Sequence, residues 1–215
     1  MVDYSGLIAH LEELHERYPR VWDLRLIKRP SRMLLEMVGQ GMRVLDIGAA
    51  DRRMERRIRE KYPDVVYKSM DIDRGFHHDF YSLDDIHETF DLIVLFEVIE
   101  HLELADGARL LSRLRELMAE DGRIIISTPN IYHPHRYWHN ADHKTAYSYS
   151  ELAGAMMSRG YEIVDIYRTY NAPFLEYLFR MTLAYPLHRT LDIDFAHSVV
   201  VVARKGKGKP ASPSR

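Results

Sequence analysis

The feature that most constrains the fold is a regular alternation of short apolar runs with amphipathic helical patterns, which begins after residue 40. The apolar runs cover residues 43–47, 65–72, 91–96, 123–127, 161–167 and 198–204, and helical patterns cover 54–62, 105–119 and 151–159. Strands that alternate with helices connect by right-handed crossovers. The sequence therefore predicts an α/β fold with a mainly parallel sheet and helices on both faces.

Two stretches do not belong to this alternation. The first 40 residues contain helical patterns at about 4–18 and 31–38, and we expect them to form a helical lid beside the sheet. Residues 171–191 form an apolar and aromatic insert between the last two strands, which we expect to be helical. Because it is short and carries Glu176 and Arg180, it cannot span a bilayer, but it could form a substrate wall or rest on a membrane surface.

The charge of the chain is unevenly distributed. The formal net charge is −2, but the first 203 residues hold 25 basic and 32 acidic side chains and so carry −7. Residues 204–215 hold the other five basic residues in a Gly-, Pro- and Ser-rich segment, and we expect this basic tail to be disordered. An acidic body is a poor partner for nucleic acid.

Cysteine is absent and histidine is abundant. With no Cys and 12 His, any metal must be held by imidazole and carboxylate groups. Neither a membrane-spanning run nor the apolar core of a signal peptide is visible, so we expect a cytoplasmic protein.

The chemistry-bearing residues follow the predicted strands. In open parallel sheets, ligands bind at the carboxyl ends of the strands. The segments found there are DIGAADRR at 46–53, DID at 71–73, DF at 79–80, FEVIEHL at 96–102 and STPN at 127–130.

Together these segments resemble the class I S-adenosylmethionine-dependent methyltransferases, over about residues 40–203. The most specific part of the resemblance is the pair of segments FDLIVLFEVIEHL at 90–102 and STPN at 127–130. The resemblance implies a Rossmann-like methyltransferase domain at 41–203, with a seven-stranded sheet whose last strand is antiparallel. It also implies S-adenosylmethionine as cofactor. The cofactor-binding residues that it implies are Asp46, Gly48, Ala50, Asp71, Ile72, Asp79, Phe80 and Phe96.

Each implied contact has a chemical reason. Gly48 would allow the backbone to approach the methionine part of the cofactor closely, and Asp71 would accept hydrogen bonds from the ribose hydroxyls. Asp79 would meet the adenine amino group. The loop departs from the family's G-x-G-x-G pattern, because Ala50 and Arg52 replace the second and third glycines. This departure leaves open a non-catalytic binding module.

A possible acceptor site follows the strand at 91–96. On one turn of helix, Glu97, Glu100 and His101 would share a face, and such groups suit Mg²⁺ or Mn²⁺. With the later His143, these residues resemble the ligand set of small-RNA 3′-terminal 2′-O-methyltransferases. They also resemble a broad group of O-methyltransferases that act on small molecules, sugars and lipid precursors. Residues 144–147 do not match the RNA subgroup, and the acidic body also disfavours RNA.

The predicted function is therefore O-methylation of a small-molecule, sugar, glycan or lipid-linked acceptor. His101 or His143 could take the hydroxyl proton, since imidazole titrates near neutral pH. Alternatively, a metal held by Glu97, Glu100, His101 and His143 could act as a Lewis acid. A purely structural role for either histidine stays open. We expect His133, His135 and His139 to be exposed loop residues, while Tyr132, Arg136, Tyr137 and Trp138 could stack on an acceptor.

Overall fold

The computed structural model describes residues 4–206, in which seven helices and seven strands are joined by loops and short 3₁₀ turns. The helices are α1 (Tyr4–Arg17), α2 (Pro30–Met37), α3 (Arg53–Lys61), α4 (Leu104–Leu117), α5 (Tyr149–Met157), α6 (Phe174–Met181) and α7 (Tyr185–Thr190). The strands are β1 (Arg25–Ile27), β2 (Arg43–Ile47), β3 (Val66–Met70), β4 (Phe90–Phe96), β5 (Met118–Pro129), β6 (Tyr161–Thr169) and β7 (Ser198–Lys205).

All seven strands join one sheet in the order β1-β6-β7-β5-β4-β2-β3. β7 runs antiparallel to both of its neighbours, β5 and β6, and the other pairs are parallel. The carboxyl ends of the parallel strands therefore meet at one edge of the sheet, together with the start of β7. This arrangement confirms the predicted seven-stranded sheet with its last strand reversed.

The N-terminal segment is part of this sheet. The sequence predicted helices here, and α1 and α2 are present, but β1 lies between them and pairs with β6. Leu14 of α1 and Leu24, just before β1, are buried in the main core. At the far edge, beyond β3, Phe80 forms a single bridge to Met70. The strand that completes the seven-stranded sheet is therefore β1, from the N-terminal segment.

Alternate residues of each strand point to opposite faces of the sheet, and each face has its own core. On β2, Leu45 packs in the cluster that holds Leu114 of α4. Its neighbour Val44 packs in the cluster that holds Ile58 of α3. Because both faces are covered by helices, the strands read as near-continuous apolar runs in the sequence.

α5 begins with a capping box, which the spacing Ser148-x-x-Glu151 in the sequence predicts. The Glu151 backbone N–H donates to Ser148 Oγ at 3.1 Å, and the Ser148 N–H donates to Glu151 Oε2 at 3.0 Å. This reciprocal pair satisfies two backbone donors that a helix start leaves unpaired. It fixes the point at which the chain leaves the candidate site and enters α5.

The insert between β6 and β7 folds as two short helices, α6 and α7, so the expectation of one inserted helix was incomplete. Its base is held by Asp194, which is fully buried and accepts from Arg168 Nη1 at 2.7 Å and from Asn130 Nδ2 at 2.8 Å. Breaking a buried pair of this kind leaves an uncompensated charge, which is strongly destabilising. None of the described helices is long and apolar enough to cross a membrane.

The predicted tail begins later than expected. β7 continues to Lys205, so Arg204 and Lys205 belong to the last strand, where Arg204 pairs with Glu162. The rest of the tail, residues 207–215, lies outside the described residues, so its expected disorder stays a prediction.

Candidate functional site

The loop after β2 keeps an unusual backbone. Gly48, Ala50 and Arg52 all have positive φ, at 71°, 44° and 54°. These are the three positions at which the resembling family carries glycine. A non-glycine residue in this region costs about 1–2 kcal/mol. The loop therefore retains the glycine-type conformation although two of its three glycines are replaced.

The first position has a second reason to be glycine. A Cβ built on Gly48 would lie 2.3 Å from Val98 Cγ2, in the loop after β4. The Gly48 N–H also donates to the Met70 carbonyl at 2.9 Å. Any side chain here would separate the loops that follow β2, β3 and β4.

Asp71, expected to bind the ribose, lies at the carboxyl end of β3. Its Oδ2 accepts from the Ala50 N–H at 2.9 Å, and its Oδ1 accepts from the Asp73 N–H at 3.0 Å. The carboxylate thus ties the loop after β2 to the loop after β3. Each oxygen keeps a further lone pair with which to accept from a hydroxyl.

Asp79, expected to meet the adenine amino group, is already heavily engaged. It accepts from Lys68 Nζ at 3.1 Å, from the Ser69 N–H at 3.0 Å and from Arg52 Nη2 at 3.3 Å. Although burial opposes the effect, the bonds from Ser69 and Lys68 hold the pKa of Asp79 below its usual value. A contact with adenine would therefore share this carboxylate with Arg52.

Arg52 occupies the third glycine position and is firmly held. Its guanidinium bonds Glu55 at 2.8 Å and the His77 carbonyl at 3.0 Å, besides Asp79. These bonds compensate for the backbone strain at this residue. The sequence showed that Arg52 replaces a glycine, but it did not predict this network.

Asp46 lies on β2 and is buried. Tyr67 donates its hydroxyl to Asp46 Oδ2 at 2.5 Å. Burial raises the pKa of Asp46 to about 6, against the opposing effect of the Tyr67 bond. Of the remaining expected cofactor residues, Ile72 is 82% exposed, whereas Phe80 packs against the main core and Phe96 against the second. These four residues all lie near the edge of the sheet that holds the carboxyl ends of the parallel strands.

The turn after β4 starts with a strained residue. Glu97 has a positive φ of 54°, and its Oε1 accepts from Ser127 Oγ at 2.7 Å. The following residues form a 3₁₀ turn at Ile99–His101 rather than a regular helix. As a result Glu97 bonds to the end of β5, while Glu100 and His101 turn toward His143.

Glu100, His101 and His143 form a compact group in which one ligand atom from each residue lies within 4.8 Å of the others. Three of the four predicted metal ligands therefore come together, and Glu97 is not part of the group. Both Glu100 oxygens are buried and have no hydrogen-bond partner among the described residues. Burial, with a smaller effect of Glu97, raises the pKa of Glu100 to about 8.

The loop after β5 positions His143. Its Nδ1 lies 2.6 Å from the Tyr137 carbonyl oxygen, which requires a proton on Nδ1 and leaves Nε2 as an acceptor. The Lys144 and Thr145 N–H groups donate to the Glu100 carbonyl at 2.8 and 3.1 Å. The two loops of the candidate acceptor site are thus joined through backbone bonds.

A second histidine group lies on the same edge. His133 has its ring centroid 4.8 Å from that of His135 and 5.8 Å from that of His197, while His135 lies 6.4 Å from His139. We predicted exposed loop residues here, and His135 and His139 are exposed, but His133 is half-buried. The sequence analysis missed His197, whose only signal is its position just before β7.

The predicted stacking residues have different surroundings. Trp138 is 78% exposed and Arg136 is also exposed, so both stay accessible to a ligand. Tyr137 is buried, and its ring lies 5.1 Å from that of His143. Tyr132 packs against the main core, 6.3 Å from Tyr149.

This Rossmann-like sheet, with its reversed last strand and its loops grouped at the carboxyl edge, defines a class I methyltransferase fold. A family model described as a methyltransferase domain matches residues 15–166, and the chain belongs to that family. It is a methyltransferase, and its fold is that of the S-adenosylmethionine-dependent class I methyltransferases that the sequence resembles.

Solved structures show the same fold. A SAM-dependent methyltransferase from Archaeoglobus fulgidus has a TM-score of 0.65 and 18% identity, over 81% of this chain and 90% of that one. An S-adenosylmethionine-dependent methyltransferase from Mesorhizobium loti has a TM-score of 0.59 and 16% identity, over 80% of this chain and 96% of that one. The cyclopropane synthase MmaA2 from Mycobacterium tuberculosis has a TM-score of 0.58 and 13% identity, over 81% of this chain and 82% of that one. A search of curated proteins finds no match.

Proposed function

We propose that this methyltransferase acts on a hydroxyl oxygen of a small-molecule, sugar, glycan or lipid-linked acceptor. The observation that carries the proposal is the pairing of His101 with His143 beside buried Glu100. This group lies at the same sheet edge as Gly48, Ala50 and Asp71, which we propose as cofactor contacts. Because S-adenosylmethionine is already a strong electrophile, the protein's task is to align the acceptor and to remove its proton.

The reaction balances without a further reactant. The acceptor oxygen attacks the methyl carbon, a C–O bond forms, the C–S bond breaks, and S-adenosylhomocysteine leaves. The hydroxyl proton passes to an imidazole. The Tyr137 carbonyl holds His143 with its proton on Nδ1, so Nε2 is the atom that would receive the proton.

A specific observation supports a metal-assisted variant of this function. The unpartnered Glu100 carboxylate and the nearby His101 and His143 offer one oxygen and two nitrogen ligands. This set fits a divalent transition-metal cation such as Mn²⁺ better than it fits Mg²⁺, which prefers oxygen ligands; a bound Mn²⁺ would lower the pKa of a hydroxyl that it contacts. The Tyr137 carbonyl accepts from His143 Nδ1 and so orients the His143 ring with Nε2 free for a metal ion. Glu97 is not part of this ligand set, because its carboxylate accepts a hydrogen bond from Ser127 Oγ.

We also propose a peripheral membrane contact through the insert. Its outer face is apolar: Phe174, Leu175 and Leu183 are 73%, 77% and 78% exposed. A cavity beside Asn171, at the start of the insert, is lined by Lys28, Arg29, Arg32 and Arg57, together with Ser31 and Leu35.

An apolar face next to a basic one suits a bilayer that carries anionic lipid. Lys28 and Arg29 are exposed and have no acidic partner among residues 4–206. Since the insert begins at the carboxyl edge of β6, a membrane-docked protein would hold its acceptor site close to the bilayer. This placement favours the lipid-linked acceptors within the proposed range.

The activity test is the formation of S-adenosylhomocysteine from S-adenosylmethionine with a panel of hydroxylated acceptors. The panel holds sugars, lipid-linked glycans and an RNA with a free 3′ end. Methylation of a sugar or lipid acceptor supports the proposal. Methylation of the RNA alone would contradict it and favour the metal-dependent RNA enzyme. Treatment with EDTA followed by Mn²⁺ tests the metal-assisted variant, since only that variant loses and regains its rate.

A further inference from the structure

The second histidine group lies among other cationic side chains. His133 and His135 come from the loop after β5, while His197 precedes β7. The ring of His197 lies 5.1 Å from that of Tyr170, whose hydroxyl donates to Glu176 at 2.6 Å. Arg180, one turn further along α6, lies 3.9 Å from the same Glu176 carboxylate. Residues from three separate segments thus meet at one place.

The charges around His133 are all of one sign. Burial lowers the pKa of His133 to about 4, and His135, His197, Arg136 and Arg180 lower it further. Burial also lowers the pKa of His197. Among the charged groups that act on His197, only Glu176 raises this pKa. Near pH 7 His133 is therefore neutral. The remaining fixed positive charges, those of Arg136 and Arg180, have so little negative charge beside them that they are electrostatically costly in the absence of a ligand.

An anion would relieve this cost and a metal would add to it. Clustered imidazoles can bind transition metals, but Arg136 and Arg180 stay positive at all relevant pH values and would repel a cation. Guanidinium and imidazole donors are well suited to phosphate oxygens. The composition of this group therefore favours a phosphate over a metal ion.

We propose that His133, His135, His197, Arg136 and Arg180 bind a phosphate or diphosphate group of the methyl acceptor. This inference rests on the proposed function, because it gives the acceptor a second point of attachment beside His143. Arg136 links the two places, since it lies between His135 and Tyr137, and the Tyr137 carbonyl oxygen lies 2.6 Å from His143 Nδ1. A phosphate bound here would leave the neighbouring part of the acceptor at the His101 and His143 pair.

The phosphate has two possible sources, a soluble sugar phosphate or a lipid-linked diphosphate. Arg180 lies on α6, the helix whose outer face exposes Phe174 and Leu175. Inorganic pyrophosphate and geranyl diphosphate separate the two sources. A lipid-linked acceptor predicts tighter binding of the geranyl compound, and a soluble one predicts equal binding.

The test is a calorimetric titration of the full chain with each of these two probes. We expect Arg180→Gln and Arg136→Gln each to weaken binding about tenfold, the effect of losing one charge-assisted contact. Arg189→Gln is the matched control, because Arg189 is on the same insert but stacks on Trp22, 4.8 Å from the ring centroid. Its affinity should equal that of the wild type.

The outcomes are distinct. Undetectable binding of both probes, or equal affinities in all three variants, would overturn the inference. The titration needs no methyl transfer, so the inference and the proposed function can fail separately. A chain that methylates hydroxyls but ignores pyrophosphate keeps the function and loses the phosphate site. If the wild type binds pyrophosphate, the two arginine variants bind it more weakly and no hydroxyl is methylated, the phosphate site is supported and the proposed function is not.

Discussion

The rings of His101 and His143 lie edge to face, with their centroids 4.9 Å apart and their planes at 71°. One ring follows β4 and the other follows β5, and backbone bonds to the Glu100 carbonyl hold the two loops together. Neither loop alone would make a site for an acceptor. The pairing is a consequence of the parallel order of β4 and β5, which brings both carboxyl ends to one edge.

The strained loop after β2 gives a stability prediction. Ala50→Gly should raise the free energy of unfolding by about 1 kcal/mol, because glycine adopts the positive φ of 44° found there without the cost that alanine incurs. Denaturant unfolding measures the change. The control, Ala108→Gly within α4, should instead lower the free energy by about 1 kcal/mol. If both variants lose stability equally, the loop is not strained at Ala50.

The cofactor site gives a binding prediction. Asp71→Asn should weaken S-adenosylmethionine binding about tenfold, since an amide replaces the charged acceptor for the ribose hydroxyls. Asp73→Asn is the control, because that carboxylate caps the Gly75 N–H at 2.8 Å within its own loop. Calorimetry with the full chain measures both. Equal affinities in the two variants would remove Asp71 from the cofactor site.

Buried Glu100 makes stability depend on pH in a specific direction. Its pKa is raised to about 8 in the folded state, whereas an unfolded glutamate ionises near about 4.3. Between these values the folded chain holds a proton that the unfolded chain has released. Stability should therefore fall as the pH rises toward 8, by about 1.4 kcal/mol for each pH unit.

Glu100→Gln isolates this effect, because glutamine resembles the protonated acid and does not titrate. The variant should match the wild type near pH 4, where the glutamate is protonated in both states, and exceed it at pH 8 in urea unfolding. Asp46, with its pKa raised to about 6, acts in both proteins and cancels in the comparison. Parallel curves from pH 5 to pH 8 would show that Glu100 is ionised in the folded protein. Curves that become parallel only when Mn²⁺ is added would support the metal-assisted variant.

The exposed insert predicts selective membrane binding. The chain should float with vesicles that contain phosphatidylglycerol and bind weakly to pure phosphatidylcholine. Leu175→Glu and the double change Lys28→Glu/Arg29→Glu should each reduce flotation several-fold, because one removes the apolar contact and the other the attraction to anionic lipid.

The controls make the same changes elsewhere. Ile8→Glu alters an exposed residue of α1. Arg123→Glu alters an exposed residue of β5 where its regular pairing with β4 begins, at the opposite edge of the sheet. Both should float like the wild type. A chain that ignores both vesicle types, or a dimer that Leu175→Glu dissociates, would show that something other than lipid covers the insert.

The core elements were predictable because local pattern and tertiary burial agree. β2 has the predicted limits of residues 43–47, and the Ser148–Glu151 capping box was visible in the sequence. β1 was missed because a three-residue strand, Arg25–Ile27, has no periodicity to detect. β5 begins earlier than predicted, at Met118, where its pairing with β4 is irregular between Phe90 and Leu92.

The candidate site was predictable only in part. The loops could be placed at the sheet edge, and three of the four predicted metal ligands do come together there. Glu97 differs because its positive φ and its bond to Ser127 depend on the end of β5. His197 and the ion pair of Arg52 with Asp79 depend on contacts between segments distant in sequence. Such contacts cannot be derived from local spacing.

We propose that His101 and His143 serve the transfer of a methyl group to a hydroxyl. The most direct measurement is the rate of S-adenosylhomocysteine formation with an accepted hydroxyl substrate, for the wild type, His143→Asn and the exposed control His139→Asn. We predict a loss of about 100-fold or more for His143→Asn, with unchanged S-adenosylmethionine affinity, and no loss for His139→Asn. Equal rates in all three proteins would contradict the claim.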